Sequence, residues 1–293
     1  MKKNAFKSDL LLLLAAAIWG FAFVAQRIGM KYVGPFTFNG VRFLLGSLSL
    51  VPLMIFLKDD NADRGKSYRN AAKLGIIAGI ILFIAVSLQQ LGLMQTTAGK
   101  TAFITGLYIV LVPILGLFLK HHVRINAWIG ALLAVFGLYF LCVTNTFSIT
   151  KYDLLILTCA FFFAVHILLI DNFISKINAV KLSFFQFLTC AILSLAIAVF
   201  TEEITLSGLF QAAVPILYGG IASVGVAYTL QVVGQKNADP TSAAIILSME
   251  SLFAAVGGFL ILHENLGLKG LIGCALMLTG MILSQIKVKN LWK

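Results

Sequence analysis

Apolar residues come in long uninterrupted runs along this chain, and polar or turn-forming residues gather in the short intervals between them. Read from one such interval to the next, the sequence divides into ten apolar stretches: 8–29, 35–57, 71–94, 97–119, 124–143, 152–171, 180–200, 211–235, 240–262 and 267–286. Each is close to the ~20 residues with which an α-helix crosses a ~30 Å hydrocarbon core. A membrane barrel would alternate apolar and polar positions in short segments instead. The pattern predicts an all-α integral membrane protein with ten transmembrane helices. The longest connection is 58–70, so no soluble domain is left over and any function resides in the bundle.

Composition agrees with this and excludes a water-soluble globule. Of 293 residues, 60% are hydrophobic and only 11% charged, against roughly 45–50% and ~25% in soluble domains. The formal charge of +11 has a topological reading. Lys2, Lys3, Lys7, Lys58, Arg64, Lys66, Arg69, Lys73, Lys120, Arg124, Lys176, Lys181, Lys236, Lys287, Lys289 and Lys293 fall on one side of the alternating spans. Only Arg27, Lys31, Lys100, Lys151 and Lys269 fall on the other. The positive-inside rule then places both termini in the cytoplasm of a cell bounded by this inner or plasma membrane. No basic face interleaved with aromatics points to nucleic acid. The basic N-terminus imitates a signal peptide, but the run that follows is too long for a cleaved one and reads as a retained first helix. Cys142, Cys159, Cys190 and Cys274 lie within spans without metal-ligand spacing, and read as small core residues.

The chain also repeats itself. A shift of 143 positions places Leu119-Lys120-His121 on Leu262-His263-Glu264, Gly130 on Gly273, Gly137 on Gly280 and Ala17 on Ala160. A shift of 144 places Arg42-Phe43-Leu44 on Gln186-Phe187-Leu188. A near-constant offset indicates two five-helix repeats, 1–147 and 148–293. Because five is odd, the second repeat enters the membrane from the opposite face, the inverted arrangement of many transporters. The basic 58–70 connection and its counterpart 201–211, which carries Glu202 and Glu203 but no Lys or Arg, differ as opposite sides require.

Several stretches in order resemble the EamA-type transporters of the drug/metabolite transporter superfamily. They are AAAIWGFAFV in span one, NGVRFLLG in span two, LGLMQTTAGKTAFITGLYIVLVPILG leading into span four, and DPTSAAIILSMESLFAAVGGFLILHE around span nine. The resemblance covers nearly the whole chain. It implies two inverted five-helix repeats around a central cavity, with small metabolites, often amino acids, as cargo. Two positions depart from the family pattern. The Glu-Pro of the penultimate helix is Glu250-Ser251 here, and the Gly-Glu that closes span four is Lys120-His121.

Glu250 is the sharpest chemical signal. It lies ten residues past Pro240, ~15 Å along a helix and near the middle of the bilayer. A carboxylate there costs ~3 kcal/mol or more unless it faces a cavity, a partner or a proton. It reads either as a cavity group that binds cationic cargo or exchanges protons, or as a protonated structural residue. Arg42, ~10 Å below the outer boundary, either receives a substrate carboxylate or snorkels outward to cap carbonyls of span one. Together the two would read the charges of a zwitterion. His166, the only histidine within a span, is a candidate proton carrier or a satisfied core residue. His121 and His122 read as surface residues, and no metal site or cofactor is expected.

Further polar and amphipathic residues within spans include Gln89, Gln90, Tyr228 and Gln231. The resemblance places the cavity lining mainly on spans one, two, four, six, seven and nine. That selects Trp19, Phe23, Asn39, Arg42, Thr105, Tyr108, His166, Gln186, Ser248, Glu250 and Ser251 as substrate-contacting residues. Gly75 and Gly79 permit close helix packing, as do Gly267, Gly270 and Gly273, and Pro52 and Pro113 permit kinks. Pro113 near Gly106 and Gly116 is a candidate hinge.

The expectation is a non-enzymatic secondary transporter, an exporter of amino acids or related small compounds, whose halves rock around a midplane site. Its partners are the small-molecule cargo, the lipid bilayer and protons if coupling runs through Glu250. Facilitated diffusion fits the same residues. No GxxxxGK[ST] loop couples the chain directly to ATP, and HExxH and GxSxG are absent, which weighs against an intramembrane enzyme. A non-transporting assembly or sensor subunit is the other alternative.

Overall fold

In lipid every backbone polar group must be satisfied within the protein, so apolar runs of this length fold as helices. The computed structural model describes residues 2–56, 64–95, 98–121, 123–142, 150–174, 177–262 and 267–285. The first span is α1 (Lys2–Gly29) and the second is α2 (Pro35–Ser49) with α3 (Val51–Phe56). The third is α4 (Arg64–Leu93), the fourth α5 (Ala98–Gly106) with α6 (Tyr108–Phe118), and the fifth α7 (Ile125–Cys142). The sixth and seventh are α8 (Lys151–Ile174) and α9 (Ala179–Thr201), followed by a short α10 (Leu206–Gln211). The eighth consists of α11 (Ala213–Leu217), a π-helical stretch π1 (Tyr218–Tyr228) and α12 (Thr229–Gln235). The ninth is α13 (Pro240–Leu247) with α14 (Glu250–Leu262), and the tenth α15 (Gly267–Gln285).

Among the described residues, nine helical stretches are long and apolar enough to cross a membrane, and a tenth apolar stretch, Ile125–Phe140, is shorter. His122, the side chain of Cys142, residues 57–63, His263-Glu264 and the lysines beyond 285 lie outside the described residues. Cys159 and Cys190 are buried and Cys274 half-buried, all as free thiols.

The spans pack in an alternating ring. α1 lies between α14 and the π1–α12 stretch; π1 packs on α2, α2 on α9, α9 on α4, α4 on α8, and α8 on α5 and α6. The circle closes where α6 meets α13 and α5 meets α14. Each span of the first half in this ring thus has second-half spans on both sides. α7 and α15 pack extensively on one another at the rim, against the fourth and ninth spans.

Small residues set the closest approaches. A Cβ at Gly79 would lie 2.6 Å from the Gln186 carbonyl oxygen, so α4 and α9 touch backbone to backbone. On the rim, a Cβ at Gly130 would lie 2.6 Å from Gly280 O, and one at Gly137 would lie 2.7 Å from Gly273 O. The glycines that match at an offset of 143 therefore pair crosswise, Gly130 with Gly280 and Gly137 with Gly273, and pack within this chain.

Helix starts are capped, one of them from a distance. α9 begins with Asn178, whose Oδ1 accepts from Val180 N at 3.0 Å and Lys181 N at 3.2 Å. The N-cap of α2 is Gly34, which has no side chain to offer. Glu202, at the end of α9, supplies the acceptors instead: Phe36 N donates to Oε1 at 2.7 Å and Thr37 N to Oε2 at 2.8 Å. A Cβ on Gly34 would collide with that carboxylate. At the end of α6, Lys120 adopts a left-handed φ of 59°, and His121 N closes the turn on Gly116 O at 2.9 Å. Pro113 lies inside α6, while the break in the fourth span falls earlier, at Leu107.

Candidate functional site

Two neighbouring spans of the ring are interrupted where they meet. The fourth span breaks at Leu107 and resumes as α6 at Tyr108. The ninth breaks at Ser248-Met249, where Met249 N and Ser251 N bond three residues back rather than four, and resumes as α14 at Glu250. No proline is needed for this second break. Leu107 and Glu250 are 143 residues apart, the offset of the repeat. Tyr108 Oη donates to Glu250 Oε1 at 3.2 Å, joining the two broken spans. Glu250 is only 6% exposed and occupies the first turn of α14.

Arg42 approaches from α2 and is 2% exposed. Its Nε donates to Asn39 Oδ1 at 3.0 Å, and Asn39 Nδ2 donates in turn to Val86 O at 3.3 Å. The guanidinium lies 5.6 Å from the Phe38 ring centroid and 5.1 Å from that of Phe43. No carboxylate lies within ion-pair distance among the described residues, and the side chain caps no carbonyl of α1. The polar reach between the first and eighth spans is made by other groups: Trp19 Nε1 donates to Ser223 O at 3.1 Å and Tyr218 Oη to Ile18 O at 2.9 Å.

These groups enclose a cavity with about 500 Å³ of atom-free space, its open mouth included. Trp19, Phe23, Gln26, Arg42, Gln89, Tyr108, Phe163, Ile167, Ser223, Tyr228, Gln231, Leu247 and Glu250 line it. Trp19 and Tyr228 meet edge-on with ring centroids 4.5 Å apart. Gln26 Oε1 and Gln231 Oε1 are buried without a hydrogen-bond partner, leaving acceptors for a guest.

Five residues selected from the sequence thus face one space: Trp19, Phe23, Arg42, Tyr108 and Glu250. Six do not. Asn39 stands behind Arg42, and Thr105 accepts from Gln89 Nε2 at 3.4 Å. His166 Nε2 and Gln186 Oε1 pair at 3.0 Å between α8 and α9, both fully buried. Ser248 Oγ donates within its own helix to Ile245 O at 2.8 Å, and Ser251 Oγ donates to Ala102 O at 3.1 Å.

The third and eighth spans contribute Gln89, Ser223, Tyr228 and Gln231, whereas the seventh contributes no lining residue. Phe163 and Ile167 were legible through the repeat, since they lie 144 residues after Trp19 and Phe23. Gln26, Ser223 and Leu247 carried no such signal.

The chain resembles known proteins over nearly its full length. It is 34% identical over 285 residues to an uncharacterized transporter of Archaeoglobus fulgidus, covering 96% of this chain and 86% of that protein. A second Archaeoglobus fulgidus transporter is 26% identical over 289 residues, covering 96% of this chain and 98% of that one. The uncharacterized transporter YoaV of Bacillus subtilis is 20% identical over 274 residues, covering 91% and 92% respectively. A crystal structure of a protein with 18% identity superposes with a TM-score of 0.79 over 95% of this chain and 96% of the other, so the fold is shared. The sequence profile of the EamA-like transporter family matches residues 6–143 and 150–285, and the chain belongs to that family.

Proposed function

We propose that this membrane transporter moves small metabolites, amino acids or related compounds, out of the cell by alternating access through the cavity between Arg42 and Glu250. The observation that carries the reading is the meeting of two interrupted helices at Tyr108 and Glu250, at positions one repeat apart. Glu250 holds a cationic group of the cargo or takes up a proton in exchange, and the aromatic walls hold its apolar part. Trp19, Phe23, Tyr108 and Arg42 contact the cargo directly. Asn39, Thr105, His166, Gln186, Ser248 and Ser251 act one layer behind.

The chain has ten spans in two inverted repeats, 1–147 and 148–293, in the plasma or inner membrane with both termini cytoplasmic. Three features support this: the two family matches over 6–143 and 150–285, the crosswise glycine pairs, and a contact pattern that maps onto itself. Exchanging the numbers of the halves turns the α4–α9 contact into that between π1 and α2, and the α4–α8 contact into that between π1 and α1. Because neighbours in the ring come from different halves, the rocking bodies contain helices of both.

The test is efflux from proteoliposomes loaded with a mixed metabolite extract, comparing wild type, Glu250→Gln and empty vesicles by mass spectrometry. Selective release by wild type that Glu250→Gln abolishes is the expected outcome. Equal release by wild-type and empty vesicles, from folded protein and with or without a pH gradient, overturns the reading.

A further inference from the structure

The inverted repeat duplicates much of the cavity but not its positive charge. Trp19 and Phe163 both line the cavity and lie 144 residues apart, as do Phe23 and Ile167. Arg42, by contrast, corresponds to Gln186, a neutral side chain turned to His166 and away from the cavity. A single guanidinium therefore serves the whole space. Intramembrane arginines ordinarily pair with carboxylates or backbone carbonyls, and Arg42 makes neither contact among the described residues.

The surroundings of Arg42 fix which part of it remains available. Asn39 is oriented by its own donation to Val86 O, so its Oδ1 points at Arg42 and occupies Nε. Phe38 and Phe43 flank the guanidinium, contacts that favour a cation without neutralising it. Neither Nη makes a hydrogen bond or an ion pair with a described residue, and Arg42 lines the cavity. Two parallel N–H groups from a guanidinium match the two oxygens of a carboxylate. On the eighth span, Gly219 leaves room for the side chain, since a Cβ there would lie 3.3 Å from Arg42 Cδ.

We infer that Arg42, held by the positioning residue Asn39, is a preorganised carboxylate subsite, and that the cargo of this transporter carries a carboxylate next to a flat apolar group. The inference rests on reading the cavity as the cargo site. The carboxylate completes a buried charge that the protein leaves unpaired, and the apolar group lies against Trp19 and Tyr228.

Binding tests this without requiring transport. Radiolabelled benzoate and its uncharged counterpart benzamide are dialysed to equilibrium against the purified full-length protein in neutral detergent. Benzoate is expected to bind saturably and benzamide not. Arg42→Gln is expected to weaken benzoate binding roughly thirtyfold or more. Arg42→Lys, which keeps the charge but not the fork, should recover part of that loss.

Asn39→Asp keeps an acceptor for Nε and neutralises the guanidinium while giving up the donation to Val86 O, so benzoate binding should vanish, with a cooperative thermal unfolding transition showing that the fold is retained. Absence of saturable benzoate binding, equal binding of benzamide, or full binding by Arg42→Gln or by Asn39→Asp each overturns the inference. Efflux of cargo lacking a carboxylate would overturn it while leaving the transporter reading intact. Benzoate binding without any metabolite efflux would do the reverse.

Discussion

The phenol of Tyr108 and the carboxyl of Glu250 meet at 3.2 Å, and each belongs to the first residue of a helix that resumes after a break in mid-span. One comes from each half of the chain, and the bond joins two neighbouring spans of the ring. Among the described residues Tyr108 is the only side chain that donates to Glu250.

Removing the donor should therefore impair the site while sparing the fold. A hydrogen bond contributes about 0.5–1.5 kcal/mol net, and Tyr108→Phe is expected to lower metabolite efflux severalfold. Glu250→Gln, which keeps an acceptor for the phenol, should unfold at nearly the wild-type temperature and still fail to transport. Efflux rates and thermal unfolding of the two variants in parallel check this.

The existence of the apolar spans was legible because length and apolarity alone decide it. Glu250 stood out because a carboxylate at mid-membrane depth is costly wherever it lies. The breaks at Leu107 and Ser248-Met249 were not legible, since neither carries a proline. Choosing between Gln89 and Gln90 needed the rotation of α4, which an evenly apolar helix does not reveal. Gln89 faces the cavity and Gln90 is buried outside it.

At the rim, Gly130 and Gly280 leave no space for a methyl group. Alanine is the better helix former, by about 0.8–1.0 kcal/mol, so Gly130→Ala would stabilise an unpacked helix. Here overpacking should prevail, with a net loss of about 1–3 kcal/mol. Gly116→Ala, whose nearest neighbour would be 3.6 Å from the new carbon, serves as the tolerated control. A lower unfolding temperature for Gly130→Ala alone is the expected result.

The cap that Glu202 places on α2 predicts a loss of about 0.5–2 kcal/mol for Glu202→Ala. Gly34→Ala should also destabilise, because its methyl collides with the capping carboxylate. In the Glu202→Ala background that collision disappears, so the two losses should sum to more than the double variant shows. A double-mutant cycle by thermal unfolding measures the difference.

Lys120 supplies the opposite case. A non-glycine residue in the left-handed region costs roughly 1–2 kcal/mol, and Lys120 has a φ of 59°. Lys120→Gly should stabilise the end of α6 by about 1 kcal/mol, read as a raised unfolding temperature with efflux unchanged.

Topology has its own test. Arg69 and Glu203 are both exposed and should lie on opposite sides of the membrane. In a background lacking the four native cysteines, Arg69→Cys and Glu203→Cys are expected to react with an impermeant thiol reagent from the cytoplasmic and outer side respectively. Labelling of both from one side would refute the inversion.

The alternating ring also bears on how the protein is made. As the ribosome delivers the first five spans to the bilayer, the helices meant to flank them have not been synthesised, and their glycine faces and the Arg42 side chain have only lipid or one another to meet. Assembly waits for the second half, whose helices must slot between those already inserted. Interleaving of this kind would leave the N-terminal helices without a finished subdomain until the later spans have entered the bilayer.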